Sequence, residues 1–140
     1  VAKLTQEEAR QLAANFRDAA IAAGDNLQEN WSRYTPKERS ELQALEVTLM
    51  NHAADMTTQA IGLMLDEAEQ DLTSLMRITA RGKRALKSVA KAKAVITVLS
   101  AVIGLAAAIQ TKKLPVIKAA ADALQEAMEE LPKNTRECLN

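Results

Sequence analysis

AVITVLSAVIGLAAAI, residues 94–109, is the stretch on which the reading of this chain turns. It is the most apolar run in the protein, and no charge occurs from Ala94 to Thr111. As a helix those 18 residues measure about 27 Å, just short of the ~30 Å hydrocarbon core of a bilayer. The run is therefore either the buried centre of a helical protein or a membrane-active segment. Alanine is frequent in it, no Trp or Tyr marks either end, and lysines stand on both sides (Lys91, Lys93, Lys112, Lys113). A permanent span would carry an aromatic belt and a charge difference between its ends. A helix apolar on every side is what other helices enclose. We expect a central packing helix whose core residues are Val95, Ile96, Val98, Leu99, Val102, Ile103, Leu105 and Ile109, and no permanent transmembrane anchor. Ser100, Gly104 and Ala108 form a ridge of small residues that permits close helix approach.

Working outward, the apolar run lies inside a block without acids. From Leu72 to Ala121 there are ten Lys/Arg and no Asp or Glu. The 71 residues before it hold 13 acids against 6 bases, and the 19 after it hold 5 against 2. The local charges of −7, +10 and −3 cancel to the net zero of the whole chain. On a helix, Arg77, Arg81, Lys83, Arg84, Lys87 and Lys91 share one face, with Leu75, Ile78, Leu86 and Val89 opposite. That is a basic amphipathic pattern. It fits an acidic protein surface, an anionic membrane, or the chain's own acids Asp66, Glu67, Glu69 and Asp71. Nucleic acid fits poorly: phosphate binding needs such cations, but no aromatic side chain interleaves them for base stacking, and the net charge is zero.

The remaining elements are helical as well. Hydrophobic residues are 48% of the chain, while Gly and Pro number four and three. An all-β domain would need more turn residues than that. Aromatic side chains are limited to Phe16, Trp31 and Tyr34, so the core must be built from Leu, Ile, Val, Met and Ala. Thr5–Glu8 reads as a capping box, with Leu4 as a hydrophobic staple. The first helix runs to about Asn30, with Leu12, Phe16, Ala20, Ala23, Leu27 and Trp31 as its apolar stripe. Thr35-Pro-Lys-Glu38 is a second capping box with Pro at the first helical position.

A 3-4 spacing of Leu42, Leu45, Leu49, His52, Met56, Ala60 and Leu63 resembles a coiled-coil seam. No breaker follows before Gly82, so the second helix is expected to run from 36 to 79; a break between Asn51 and Gly62 is the more compact alternative. Arg81-Gly-Lys-Arg84 is the expected turn, and the central helix follows over about 83–111. Pro115 begins a last helix striped by Ile117, Ala120, Ala121, Leu124, Met128 and Leu131. The expected fold is all-α, an antiparallel up-down bundle of about four helices. It forms one domain over 1–132, with 133–140 as a polar tail.

Constellations for chemistry are missing from this pattern. His52 is the single histidine and occupies an apolar-stripe position, which suits a satisfied interface residue. A di-iron bundle needs Glu-x-x-His twice, and Leu49 stands three residues before His52. One histidine and one cysteine, Cys138 near the end, make no zinc set. No nucleophile near His52 suggests a triad, and Gly24, Gly62, Gly82 and Gly104 stand too far apart for a phosphate loop. Asp66–Asp71 lacks calcium-loop spacing. Met50, Met56, Met64 and Met76 suit core filling. No cofactor, metal, small-molecule substrate or catalytic residue is expected. The opening VAKLTQEEAR is polar where a secretory signal would be apolar, so no such signal is expected, and the compartment is left open.

Two functions fit these features. The first is a non-enzymatic interaction module that binds a protein partner or a second copy through its charge-segregated surface. The second is a membrane-active domain that inserts residues 94–109 into an anionic bilayer behind its basic flanks. A buried apolar helix sheathed by amphipathic ones resembles, in architecture, the pore-forming domains of bacterial toxins such as colicins. Those domains are larger and bury a two-helix apolar hairpin, where this sequence has one strongly apolar helix. The likeness includes no diagnostic motif and assigns no family.

Overall fold

Long runs of Ala, Leu, Glu, Gln, Lys and Arg, with Pro confined to the first turn or just past the last, let the backbone satisfy itself locally. A computed structural model describes residues 6–58, 69–111 and 113–132, the side chains of 6, 9, 57, 58 and 69–73 excepted. Among them are five α-helices: α1 (Gln6–Glu29), α2 (Pro36–Thr58), α3 (Glu69–Ser88), α4 (Ala92–Thr111) and α5 (Leu114–Glu129). The fold is all-α. The Thr5 capping box, the acids Asp66 and Glu67, the side chains of Glu69 and Asp71, Ala60, Leu63, Met64, Lys112 and the 133–140 tail lie outside the described residues.

The α1–α2 corner follows the local rules closely. Thr35 Oγ1 accepts from the Glu38 N–H at 3.2 Å, and the Glu38 carboxylate accepts from the Thr35 N–H at 2.8 Å. This is a complete capping box, which satisfies two otherwise orphaned donors. Arg39 holds the corner from the next turn, donating to the Trp31 carbonyl at 2.8 Å and the Tyr34 carbonyl at 3.1 Å. Its guanidinium lies 4.7 Å from the Trp31 ring centroid. Trp31 therefore leaves the predicted apolar stripe. α1 ends at Glu29, and Trp31 caps the corner with 43% of its surface exposed.

Direction is fixed by pairs of contacts. Arg10 and Ala13 of α1 share a groove with Met50 and Ala54 of α2, while Gly24 of α1 faces Glu46. Rising numbers on one helix meet falling numbers on the other, so α1 and α2 are antiparallel. Between α1 and α3 the order is the same on both: Asn15 meets Thr79, and Asn26 meets Leu86 and Val89. α3 thus runs with α1 and against α2. This overturns the unbroken helix over 36–79, because one straight helix cannot lie against α1 in both directions. α2 is described as far as Thr58, and the Asn51–Gly62 window of the compact alternative lies partly outside the described residues.

The predicted turn at Arg81–Arg84 is also corrected. Gly82 is buried within α3, and a Cβ there would lie 3.2 Å from Val102 Cγ2 and 3.7 Å from Leu124 Cδ2. The glycine serves close approach of α3 to α4 and α5, not chain reversal. The break falls instead at 89–91, where no Gly or Pro occurs. Its partner comes from α1. The Asn26 amide donates to the carbonyls of Leu86, at 3.0 Å, and of Val89. These are carbonyls that a helix C-terminus leaves unsatisfied. The expected helix over 83–111 is accordingly two helices, α3 and α4.

α4 packs against each of the other four helices. Val95, Val98, Leu99, Val102, Leu105 and Ile109 are buried as expected, whereas Ile96 and Ile103 are half-buried. Lys93, Thr97, Ser100, Gly104 and Thr111 form the exposed strip of the same helix. The ridge of small residues is therefore divided: Ala108 packs inward, while nothing lies within 4 Å of a Cβ placed on Gly104.

Candidate interaction surface

The cations of α3 arise from a helix whose apolar side is fully used. Leu75, Thr79, Gly82 and Leu86 recur every three or four residues and are buried against α1, α4 and α5. Polar residues between them must then point outward. Arg77, Arg84 and Lys87 stand exposed on that outer side, and Lys91 is exposed in the α3–α4 connection. The other two predicted members turn to the flanks. Arg81 donates to Gln125 Oε1 of α5 at 3.0 Å, and its Nε is buried with no partner among the described residues. Lys83 Nζ lies 3.8 Å from Asp18 Oδ2 of α1. Such a partly exposed pair contributes about 0–1 kcal/mol and mainly orients the lysine. The six residues thus form an exposed group, Arg77, Arg84, Lys87 and Lys91, bordered by two seams.

Beyond the Arg81 seam the surface changes sign. Asp122, Glu126 and Glu129 of α5 are exposed and recur at four and three residues, so they share one helix face. Gln125 sits among them, accepting from Arg81 and donating to Glu129 Oε1 at 3.1 Å. Glu130 is exposed at the same end, and Lys118 is the single cation of α5. The acidic α5 face is a feature the sequence signals only by the four- and three-residue spacing of Asp122, Glu126 and Glu129, which begins one residue past the acid-free block Leu72–Ala121.

Two buried polar groups hold α3 in register beneath this surface. Asn15 Nδ2 donates to Thr79 Oγ1 at 3.0 Å, and that hydroxyl donates to the Leu75 carbonyl at 2.7 Å. Gln11 completes the group by donating to Asn15 Oδ1 at 3.2 Å. Eleven residues further along α1, Asn26 Oδ1 accepts from the Tyr34 hydroxyl at 2.7 Å while the amide caps α3. Burial, assisted by Glu38 and opposed by Arg33, pushes the Tyr34 hydroxyl above its ordinary pKa, which keeps the donating proton in place. Neither asparagine was singled out from the sequence; a polar residue within an apolar stripe is the signal each one gives.

Other candidate chemistry is sparse. His52 Nδ1 lies 2.6 Å from Gln110 Oε1 of α4, the satisfied interface role expected of it. No cluster of metal-ligating side chains occurs among the described residues. An open groove of about 630 Å³ separates the start of α1 from the end of α2, with Ala13 and Met50 on its floor and Glu7, Arg10 and Arg17 at its rim. Over Gly24, the Glu46 carboxylate fills the space a Cβ would occupy, 2.5 Å from Oε1. Burial, and then the nearby Asp25, raise the Glu46 pKa.

Comparison of the chain with protein-family models, with curated proteins and with solved structures finds no match.

Proposed function

We propose that the chain is a non-enzymatic helical interaction module that docks an acidic protein surface on the outer face of α3. In this reading the alternation of direction from α1 to α3 continues through α4 and α5, which makes the whole an up-down bundle. The observation that supports the reading most is the division of labour between adjacent helices. Arg77, Arg84 and Lys87 stand exposed on α3, while α4 directs Val98, Leu99, Val102 and Leu105 into the core. Cations on a rigid, fully packed helix favour encounter with an acidic surface and give it a fixed register.

Poly-L-glutamate is the probe that tests this. The protein should bind it at low salt and release it as salt rises, because the attraction is between exposed charges. Arg77→Glu combined with Lys87→Glu should abolish binding without loss of helical circular dichroism. Equal binding by the wild-type chain and the double variant would refute the reading.

A second reading, insertion into an anionic bilayer, draws on one specific feature. Among the described residues α4 is the one helix long and apolar enough to cross a membrane, and half of it is buried in the protein. Lys91 and Lys93 stand exposed at its start. Each cation near an anionic surface contributes about 1 kcal/mol of attraction. On this reading the bundle opens, α4 enters lipid, and vesicles leak.

A further inference from the structure

The basic face of α3 and the acidic face of α5 are neighbours, and that adjacency has a symmetry consequence. The two helices meet at the Arg81–Gln125 hydrogen bond and at Gly82 against Leu124. On α3, Arg81 lies one turn from Arg77 and one from Arg84; on α5, Gln125 lies one turn from Asp122 and one from Glu129. The exposed charges thus flank one seam, positive on one side and negative on the other. In a twofold-symmetric pair, whatever residue i contacts on the partner, the partner's copy of i contacts in return. A twofold axis running along this seam, parallel to the two helices, lays α3 of one molecule on α5 of the other, twice.

We propose that the partner docked by this surface is a second copy of the chain, with Arg77, Arg84 and Lys87 facing the second copy's acidic stripe of α5. The inference rests on the α3 face being a docking surface and names its occupant. Charge complementarity carries it. Among the described side chains the exposed face of α3 has three cations and no acid, and α5 offers Asp122, Glu126, Glu129 and Glu130 against the single cation Lys118. Within the monomer no ion pair among the described residues joins Arg77 or Lys87 to these acids. Ala119 and Ala123 of α5 are small and exposed beside the acids, Ala80 of α3 is half-buried, and Val116 is the large apolar side chain that α5 exposes.

The test is a charge-reversal exchange read by sedimentation equilibrium and light scattering. One variant combines Arg77→Glu with Lys87→Glu; the other combines Asp122→Lys with Glu126→Lys. All four positions are exposed, and each variant should keep its helices, checked by circular dichroism. The wild-type chain should self-associate at low salt and dissociate as salt rises. Each variant alone should associate at least about tenfold more weakly, since like charges then face each other across the axis. An equimolar mixture of the two should recover association, because every reversed face meets its opposite.

A wild-type chain that is monomeric at low salt overturns the proposal, as does a dimer that survives both reversals or a mixture that stays monomeric. Poly-L-glutamate binding keeps the two ideas separate. A monomeric wild type that still binds it through Arg77 and Lys87 removes the second copy as partner and leaves the docking face standing. Loss of both removes the face as well.

Discussion

The seam between α1 and α3 and the packing around α4 are built by different means. α1 meets α3 through buried polar pairs: Asn15 with Thr79, and Asn26 with the carbonyl end of α3. α4 is held by apolar side chains and by close approach, with Leu99, Leu105 and Ile109 fully buried and Val102 pressed toward Gly82. Apolar burial is non-directional and tolerates small shifts. A buried amide accepts only one arrangement, because leaving it unpaired costs more than pairing it gains. The comparison assigns cohesion to α4 and register to the α1–α3 seam. Register matters to function here, since it sets where Arg77, Arg84 and Lys87 emerge on the surface.

The largest expected effect lies on the apolar side. Leu105→Ala should lower unfolding stability by about 3–5 kcal/mol, the combined loss of transfer energy and the cavity left in a well-packed core. Urea denaturation checks this; a loss below about 1 kcal/mol would remove α4 from the centre of the core. Next comes the polar side. Asn26→Ala strands the Leu86 and Val89 carbonyls and the Tyr34 hydroxyl, so about 2–3 kcal/mol should be lost. Hydrogen exchange should place the damage at the end of α3 and the start of α4. A uniform loss of protection across all helices would contradict the local capping role.

Smaller effects sharpen the comparison at the corner between α1 and α2. Thr35→Ala breaks the capping box and should cost about 1 kcal/mol, leaving α3 and α4 untouched. Glu46→Gln should act through pH. A raised folded-state pKa means the native state binds this proton more tightly than the unfolded chain does. Its stabilisation is present below the ordinary carboxylate range and is lost as pH rises through the raised value. At neutral pH the charged Glu46 therefore burdens the fold, and Gln should stabilise it there. The advantage should vanish in acid; a pH-independent gain in thermal midpoint would show that charge is not the cause.

The same contrast explains what could be read from the sequence. The apolar stripes of Leu12, Phe16 and Leu27, of Leu42 and Leu49, and of Leu99 and Leu105 were legible because their cause, the helical period, is local. So was the Thr35–Glu38 box. The α3–α4 break was not, because its determinant is Asn26, about sixty residues away in sequence. Gly82 misled for a related reason. A glycine within a basic run reads as a turn, yet this one is spent on contact with Val102 and Leu124. The basic stripe was legible as a face, but its division at Arg81 and Lys83 depends on Gln125 and Asp18, which only the tertiary packing brings near.

The membrane reading requires α4 to leave its neighbours, whereas docking on α3 requires it to stay. Release of a trapped dye from vesicles containing anionic lipid, measured at low salt across a range of protein-to-lipid ratios, separates the two directly. With Leu99, Leu105 and Ile109 held in the core, the dye should stay inside at every ratio, even if Arg77 and Lys87 bring the protein to the vesicle surface. Dose-dependent release that disappears when Leu105 is replaced by Lys in a chain that still folds would contradict the docking reading and place α4 in lipid.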